Sequence, residues 1–239
     1  MFTVTLVIAR HVNVRGVDSS LVFATELEQR DKAVAARLTI LLELDRRVDE
    51  LRRQGERLAA FRERLPSDRS HLDMALAEAE RDLESARAAR ERASDAVERA
   101  RGEDARTTAR RHEAHAASDL HTSEERRDRL VGRRESLAHE ADEAEKEARA
   151  LTMAALELSA ELASAPRVAQ PQPPLPEIGG VLEWATRAHA ALVVARSGLE
   201  TERERVVREA NELAASVLGE PLYSTSVAAV KQRLEERLA

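Results

Sequence analysis

The sequence predicts an all-α protein built from long antiparallel coiled-coil hairpins that form a rod, with a short β-strand at the N-terminus. Composition is the first reason: only 2% of the 239 residues are aromatic and 34% are charged, while Ala, Leu, Glu and Arg dominate. Compact cores normally use more large rings, whereas this composition is typical of long helices. The second reason is a heptad spacing of apolar residues through most of the chain.

Residues 1–17 differ from the rest of the chain. Val4, Leu6 and Ile8 alternate with Thr3, Thr5 and Val7, and Val12 and Val14 continue this period of two, which is typical of a strand. A single strand is not stable alone, so it needs a second strand around Arg15, another subunit, or sequence outside this chain. A frayed end or an extension of the first helix is the alternative.

From about Ser20 the period changes to seven, which predicts a first helix over residues 20–64. Two interleaved rows make the apolar seam of a coiled coil, namely Leu27, Val34, Leu41 and Val48 with Leu44, Leu51, Leu58 and Leu65. Pro66 disfavours helix in the residue before it, and Ser67 or Asp68 supplies an N-cap. We therefore expect a turn at 65–68 within the coiled-coil region 18–165.

Two further heptad runs follow this turn. Their apolar positions include Leu72, Leu76, Leu83 and Val97 in the first run and Leu130, Leu137, Leu151, Leu158 and Leu162 in the second. The frames of the two runs are offset by two residues, and residues 101–129 between them are polar. Either one helix continues through with a stutter, or it breaks near Ser118 to Ser123. We favour the continuous helix because no proline and no glycine pair marks a turn.

The clearest boundary is a Pro/Gly-rich connector at 166–180, which contains five prolines and ends in Gly179 and Gly180. A third long helix is predicted at 181–218, followed by a turn and a short C-terminal helix within 219–239. We expect the first helix to pack on the first half of the long second helix, and the third helix on its second half. Homodimeric pairing of the same seams is the main alternative.

Several chemistries are excluded by residues that the sequence lacks. Without cysteine there is no disulfide, thiolate nucleophile or Cys-based zinc site. None of the three lysines follows glycine in a phosphate-binding loop, and neither a Gly-x-Ser-x-Gly elbow nor a His-Glu-x-x-His motif occurs. We therefore expect no catalytic residue, no bound cofactor and no enzymatic activity.

Three local features of the sequence are candidate sites. His112, His115 and His121 are clustered, but a coiled-coil surface gives a metal no enclosed site, so we expect solvated histidines and no metal. A contact patch for nucleic acid is conceivable at the basic cluster Arg126, Arg127, Arg129, Arg133 and Arg134. Interleaved Asp and Glu at helical spacing favour a self-paired surface there instead. Trp184 is expected to pack against a helix or the connector rather than to anchor a partner.

Charge and hydropathy bear on partners and location. The net charge is −6 with both signs interspersed, which argues against a dedicated polyanion-binding domain. No apolar stretch approaches the roughly 20 residues needed to cross a bilayer. The N-terminus has no basic region followed by an apolar core and a cleavage site, so we expect a cytoplasmic protein.

The stretch from Thr201 to Glu235, a helix followed by Leu218-Gly219 and a capped short helix, resembles coiled-coil arm sequence of the SMC, Rad50 and SbcC chromosome-maintenance ATPases. The resemblance covers residues 178–239 best and the earlier heptads only generically. The head motifs, the signature motif and the Cys-x-x-Cys zinc hook of that group are absent, so ATP hydrolysis and hook-mediated dimerisation do not carry over. What the resemblance implies is a spacer that connects sites in a DNA-handling complex.

The sequence therefore favours a non-enzymatic arm or scaffold in DNA segregation, repair or defence. Its partners are expected to be proteins bound through coiled-coil seams, either a second copy or an ATPase subunit, with nucleic acid contacted only indirectly. The alternative is a self-assembling helical scaffold at a membrane surface. That alternative needs a basic amphipathic helix at the N-terminus, where residues 2–14 are predicted to be a strand.

Overall fold

The computed structural model describes the backbone of residues 2–165 and 167–238, and the side chains of residues 19–165 and 167–237. It contains four helices: α1 (Phe2–Arg99), α2 (Glu103–Ser164), α3 (Ile178–Leu218) and α4 (Val227–Leu238). No strand occurs in the part of the chain that is described. The all-α fold with long helices is therefore confirmed.

The predicted N-terminal strand is not found, because that part of the chain belongs to helix α1, which begins at Phe2. The physical reason is that a helix satisfies its own backbone hydrogen bonds, whereas one strand needs a neighbour that the described chain does not provide. The side chains of residues 2–18, on which the alternating pattern depends, lie outside the described residues.

The predicted turn at 65–68 is wrong, because α1 continues through Pro66. Proline removes one backbone hydrogen bond and crowds the preceding turn, which disfavours helix locally. Apolar residues on both sides outweigh this cost: Leu58 precedes Pro66, Leu76 follows it, and both are buried. Pro66 itself is exposed, so its ring meets solvent rather than a neighbouring helix.

The chain turns instead at residues 100–102, between α1 and α2. Gly102 has φ 94°, a left-handed conformation that costs a residue with a Cβ about 1–2 kcal/mol. The prediction of one continuous helix through 101–129 is therefore wrong, because the helix is interrupted at 100–102. The alternative break near Ser118 to Ser123 is not found either, since α2 runs from Glu103 to Ser164.

The chain divides into two compact units, of which unit 2 is Gln54–Leu151. Within it α1 and α2 run antiparallel, as three ion pairs between the helices show. Arg62 pairs with Glu145, Asp73 with Arg134, and Asp82 with Arg126. The residue numbers on α2 therefore decrease as those on α1 increase, as they do in antiparallel helices. Unit 2 is therefore a two-helix antiparallel coiled coil.

Unit 1 comprises Met1–Arg53 and Thr152–Ala239. Here α1 and α3 run antiparallel, with Asp31 paired to Arg203 and Asp45 to His189. The C-terminal end of α2 contacts α1 here. The guanidinium of Arg47 on α1 binds both carboxylate oxygens of Glu161 on α2, at 2.5 and 2.9 Å. The predicted packing of α3 on the second half of a long central helix is thus wrong, because the turn at Gly102 gives α3 a different neighbour, the N-terminal half of α1.

The short helix α4 completes unit 1. Its buried residues Val227, Val230 and Leu234 form one apolar cluster with α1 and α3, which contribute Ala24, Leu27, Val206, Ala210 and Ala214. Asn211 on α3 fixes the preceding turn, because its side-chain oxygen accepts from the Ser224 backbone N–H at 3.0 Å and its nitrogen donates to the Ser224 carbonyl at 2.9 Å. The predicted C-terminal helix is therefore present and docked.

The connector between α2 and α3 packs onto unit 1 at several points. Val168 and Pro174 are buried, and the Gln170 side chain donates to the Ala163 carbonyl at 2.9 Å. Arg167, at φ 67°, has positive φ although it is not glycine, and its guanidinium pairs with Glu202 on α3. The connector is therefore a bound segment of unit 1.

Candidate functional site

The heptad seam is the most extensive feature that sequence reasoning singled out, and most of it is buried. In unit 2 the buried apolar residues are Leu58, Leu76, Ala79 and Leu83 on α1 and Leu120, Leu137, Ala141, Ala144, Ala148 and Leu151 on α2. In unit 1, Leu158 and Leu162 of α2 are buried as well. Leu72, Val97 and Leu130 are half-buried. The seam therefore holds α1 against α2 through much of unit 2.

The distal part of unit 2 is packed differently. Between Leu83 and Leu120 the described chain has no buried side chain, and heptad positions such as Ala86, Ala93 and Val97 are only half-buried. Alanine has little surface to bury, so this stretch gains little apolar burial. Backbone held by so few buried contacts opens more readily than the rest of a structure. The end of the hairpin is thus the least stable part of unit 2.

The arginine cluster of α2 is largely used in ion pairs. Arg126 binds Asp82 at 2.7 Å and approaches Glu78 at 3.6 Å, and Arg134 binds Asp73 at 3.3 Å. Both arginines therefore join α2 to α1.

The other three arginines of that cluster bind groups on their own helix. Arg127 pairs with Asp128 at 2.6 Å, and Arg133 lies 3.6 Å from Glu140. The Arg129 guanidinium donates to the Glu125 carbonyl at 3.2 Å. Exposed pairs of this kind contribute little stability, but the neighbouring carboxylates reduce the positive charge that a phosphate would meet.

The clustered histidines lie on exposed helix surface. His112, His115 and His121 are all exposed, and His121 Nε2 lies 3.2 Å from Glu125 Oε1. Within the described residues, no group of three or more His, Asp or Glu side chains is placed to hold a metal ion. The spacing of these histidines along α2 does not bring them into a common enclosed site.

A network around Glu28 was not anticipated from the sequence. Its carboxylate accepts from Lys32 at 2.6 Å on the same helix and from Lys231 of α4 at 2.9 Å. The hydrogen bonds from the two lysines, of which the one from Lys32 has the larger effect and the one from Lys231 the smaller, lower the pKa of Glu28 to about 2. Spacing identifies the Glu28–Lys32 pair, but only the fold reveals the partner from α4. The network joins α4 to α1.

Trp184 is fully buried in unit 1, with 0% of its surface exposed, which agrees with the expectation that it packs internally. Its indole Nε1 is buried and has no hydrogen-bond partner. An unpaired buried donor costs about 1–3 kcal/mol, which the burial of the large apolar ring offsets. Being buried, it offers no surface to a binding partner.

Comparisons with protein-family models, with curated protein sequences and with solved structures found no match to this chain. Among the described residues, no helix is both long and apolar enough to traverse a bilayer.

Proposed function

We propose that this chain is a non-enzymatic coiled-coil arm or scaffold that connects sites in a DNA segregation, repair or defence complex related to the SMC and Rad50 group. The observation that carries the proposal is the antiparallel hairpin of unit 2. Its buried Leu and Ala seam and the interhelical ion pairs of Arg62, Arg126 and Arg134 specify one register between α1 and α2. A hairpin in a fixed register can act as a spacer, because it sets the distance between groups bound along it.

The side chains of this hairpin suit a mechanical role. Four of the five arginines in the cluster, Arg126, Arg127, Arg133 and Arg134, lie within ion-pair distance of carboxylates of the same chain, and the clustered histidines are exposed. The partners proposed for this arm are therefore proteins, either a second copy or an ATPase subunit. Contact with nucleic acid is then indirect, through the complex, and the location is the cytoplasm.

A complementation experiment tests the proposal. The gene is deleted in its host, and chromosome segregation, survival of DNA damage and restriction of foreign DNA are measured. We expect a defect in at least one of them, restored by the wild-type gene and by Met74→Asp, which changes an exposed side chain. Leu83→Asp, which places a charge in the seam, should fail to restore it.

The same strain distinguishes the membrane scaffold. A deletion with normal DNA maintenance but with sensitivity to membrane stress would contradict the arm proposal. Flotation of the purified chain with liposomes above the level of a protein-only control would favour a scaffold at the membrane surface. A neighbouring reading frame that carries a phosphate-binding loop would support the ATPase partner.

A further inference from the structure

We draw no further inference here: the strongest candidate, the exposed apolar surface patches formed by Met153 and Leu156 on α2 and by Val193 and Val194 on α3 in unit 1, carries nothing because nothing in the structure shows what covers them.

Discussion

Gly180, in the first turn of α3, lies so close to Leu175 of the connector that a Cβ on it would be 2.6 Å from the Leu175 Cβ and 2.9 Å from the Leu175 carbonyl oxygen. Two of the three nearest atoms are backbone, which cannot swing aside as a flexible side-chain end can. Gly179, its neighbour, would place a Cβ in open space. A side chain is therefore tolerated at Gly179 but not at Gly180.

Gly180→Ala should destabilise unit 1 by about 2 kcal/mol, because overpacking forces the connector away from α3. Gly179→Ala is the matched control, and it should raise stability by up to ~1 kcal/mol, since alanine is the better helix former. Urea denaturation followed by Trp184 fluorescence measures both. Equal effects of the two substitutions would mean that the connector does not pack against Gly180.

The position of the hairpin turn can be tested at Gly102. Gly102→Ala should cost about 1 kcal/mol, because alanine is disfavoured at φ 94°. Gly132→Ala, at a helical position in α2 with no atom within 4 Å of the new Cβ, should instead be neutral or stabilising. Thermal melting followed by circular dichroism compares them. A stabilising Gly102→Ala would show that the helix runs on through that residue.

Pro66 offers a test of the uninterrupted α1. Pro66→Ala should stabilise unit 2 by up to ~3 kcal/mol, because it restores the hydrogen bond to the Arg62 carbonyl and relieves the ring's clash with the preceding turn. Ser67→Ala changes helix propensity without adding a hydrogen bond, and it should alter stability by no more than about 0.5 kcal/mol. Thermal melting measures both variants. If residues 65–68 formed a turn, Pro66→Ala would lower stability or leave it unchanged.

Leu83 tests the assigned seam. Its side chain is 4% exposed, so Leu83→Asp should destabilise unit 2 by at least ~3 kcal/mol through lost apolar burial and a buried charge. Met74, on the same helix, is 59% exposed, and Met74→Asp should stay within about 0.5 kcal/mol of wild type. Helicity at 222 nm during urea denaturation reports both. Similar losses from the two substitutions would place the seam on another face.

Acid should weaken the attachment of α4. Because folding lowers the pKa of Glu28 from 4.5 to about 2, its contribution is complete above pH 4.5 and is lost as the pH falls towards 2. Glu28→Gln should therefore be less stable than wild type at pH 6, and the difference should shrink between pH 4.5 and 2. Hydrogen exchange of the α4 amides measures the part of this contribution that Lys231 provides, because Lys32 lies on α1 with Glu28.

The control for Glu28 is Glu26→Gln, which alters an exposed carboxyl of α1 for which the structure gives no ion pair within the described part of the chain. Its α4 amides should exchange like those of wild type at every pH. A gap between Glu28→Gln and wild type that stayed constant from pH 6 to pH 2 would show that Glu28 is not the group that titrates.

Heptad spacing was enough to predict helical structure beyond about residue 20 and most of the seam, because buried residues such as Leu83 and Leu137 must recur on one helix face. The end of α3 at Leu218 also followed from Gly219 and Pro221. The turns could not be predicted in the same way. Pro66 is a strong local signal for the end of a helix, but apolar packing on both sides of it overrides that signal. A single glycine such as Gly102 is a weak signal for a turn, yet the chain turns there. The two-residue offset between the heptad frames was the available clue, since two separate helices need not share one frame.

Spacing along the sequence also could not predict the ion pairs that join different helices. Arg126 has acidic neighbours on its own helix, and spacing alone favoured pairing with them. Its partner in the structure is Asp82, which becomes adjacent only when the turn is placed at Gly102. An error in one turn therefore changes the expected partners of the side chains that pair between the two helices, such as Arg62, Arg126 and Arg134.

The burial of Trp184 also determines what optical spectroscopy can observe. It is the single tryptophan of the chain, and it lies with the single tyrosine, Tyr223, in unit 1. Unit 2 has Phe61 as its one aromatic residue and so gives almost no signal at 280 nm. Fluorescence therefore follows unit 1 alone, while far-ultraviolet circular dichroism follows both units. Denaturation curves recorded both ways on the unlabelled protein separate the stability of one unit from that of the other.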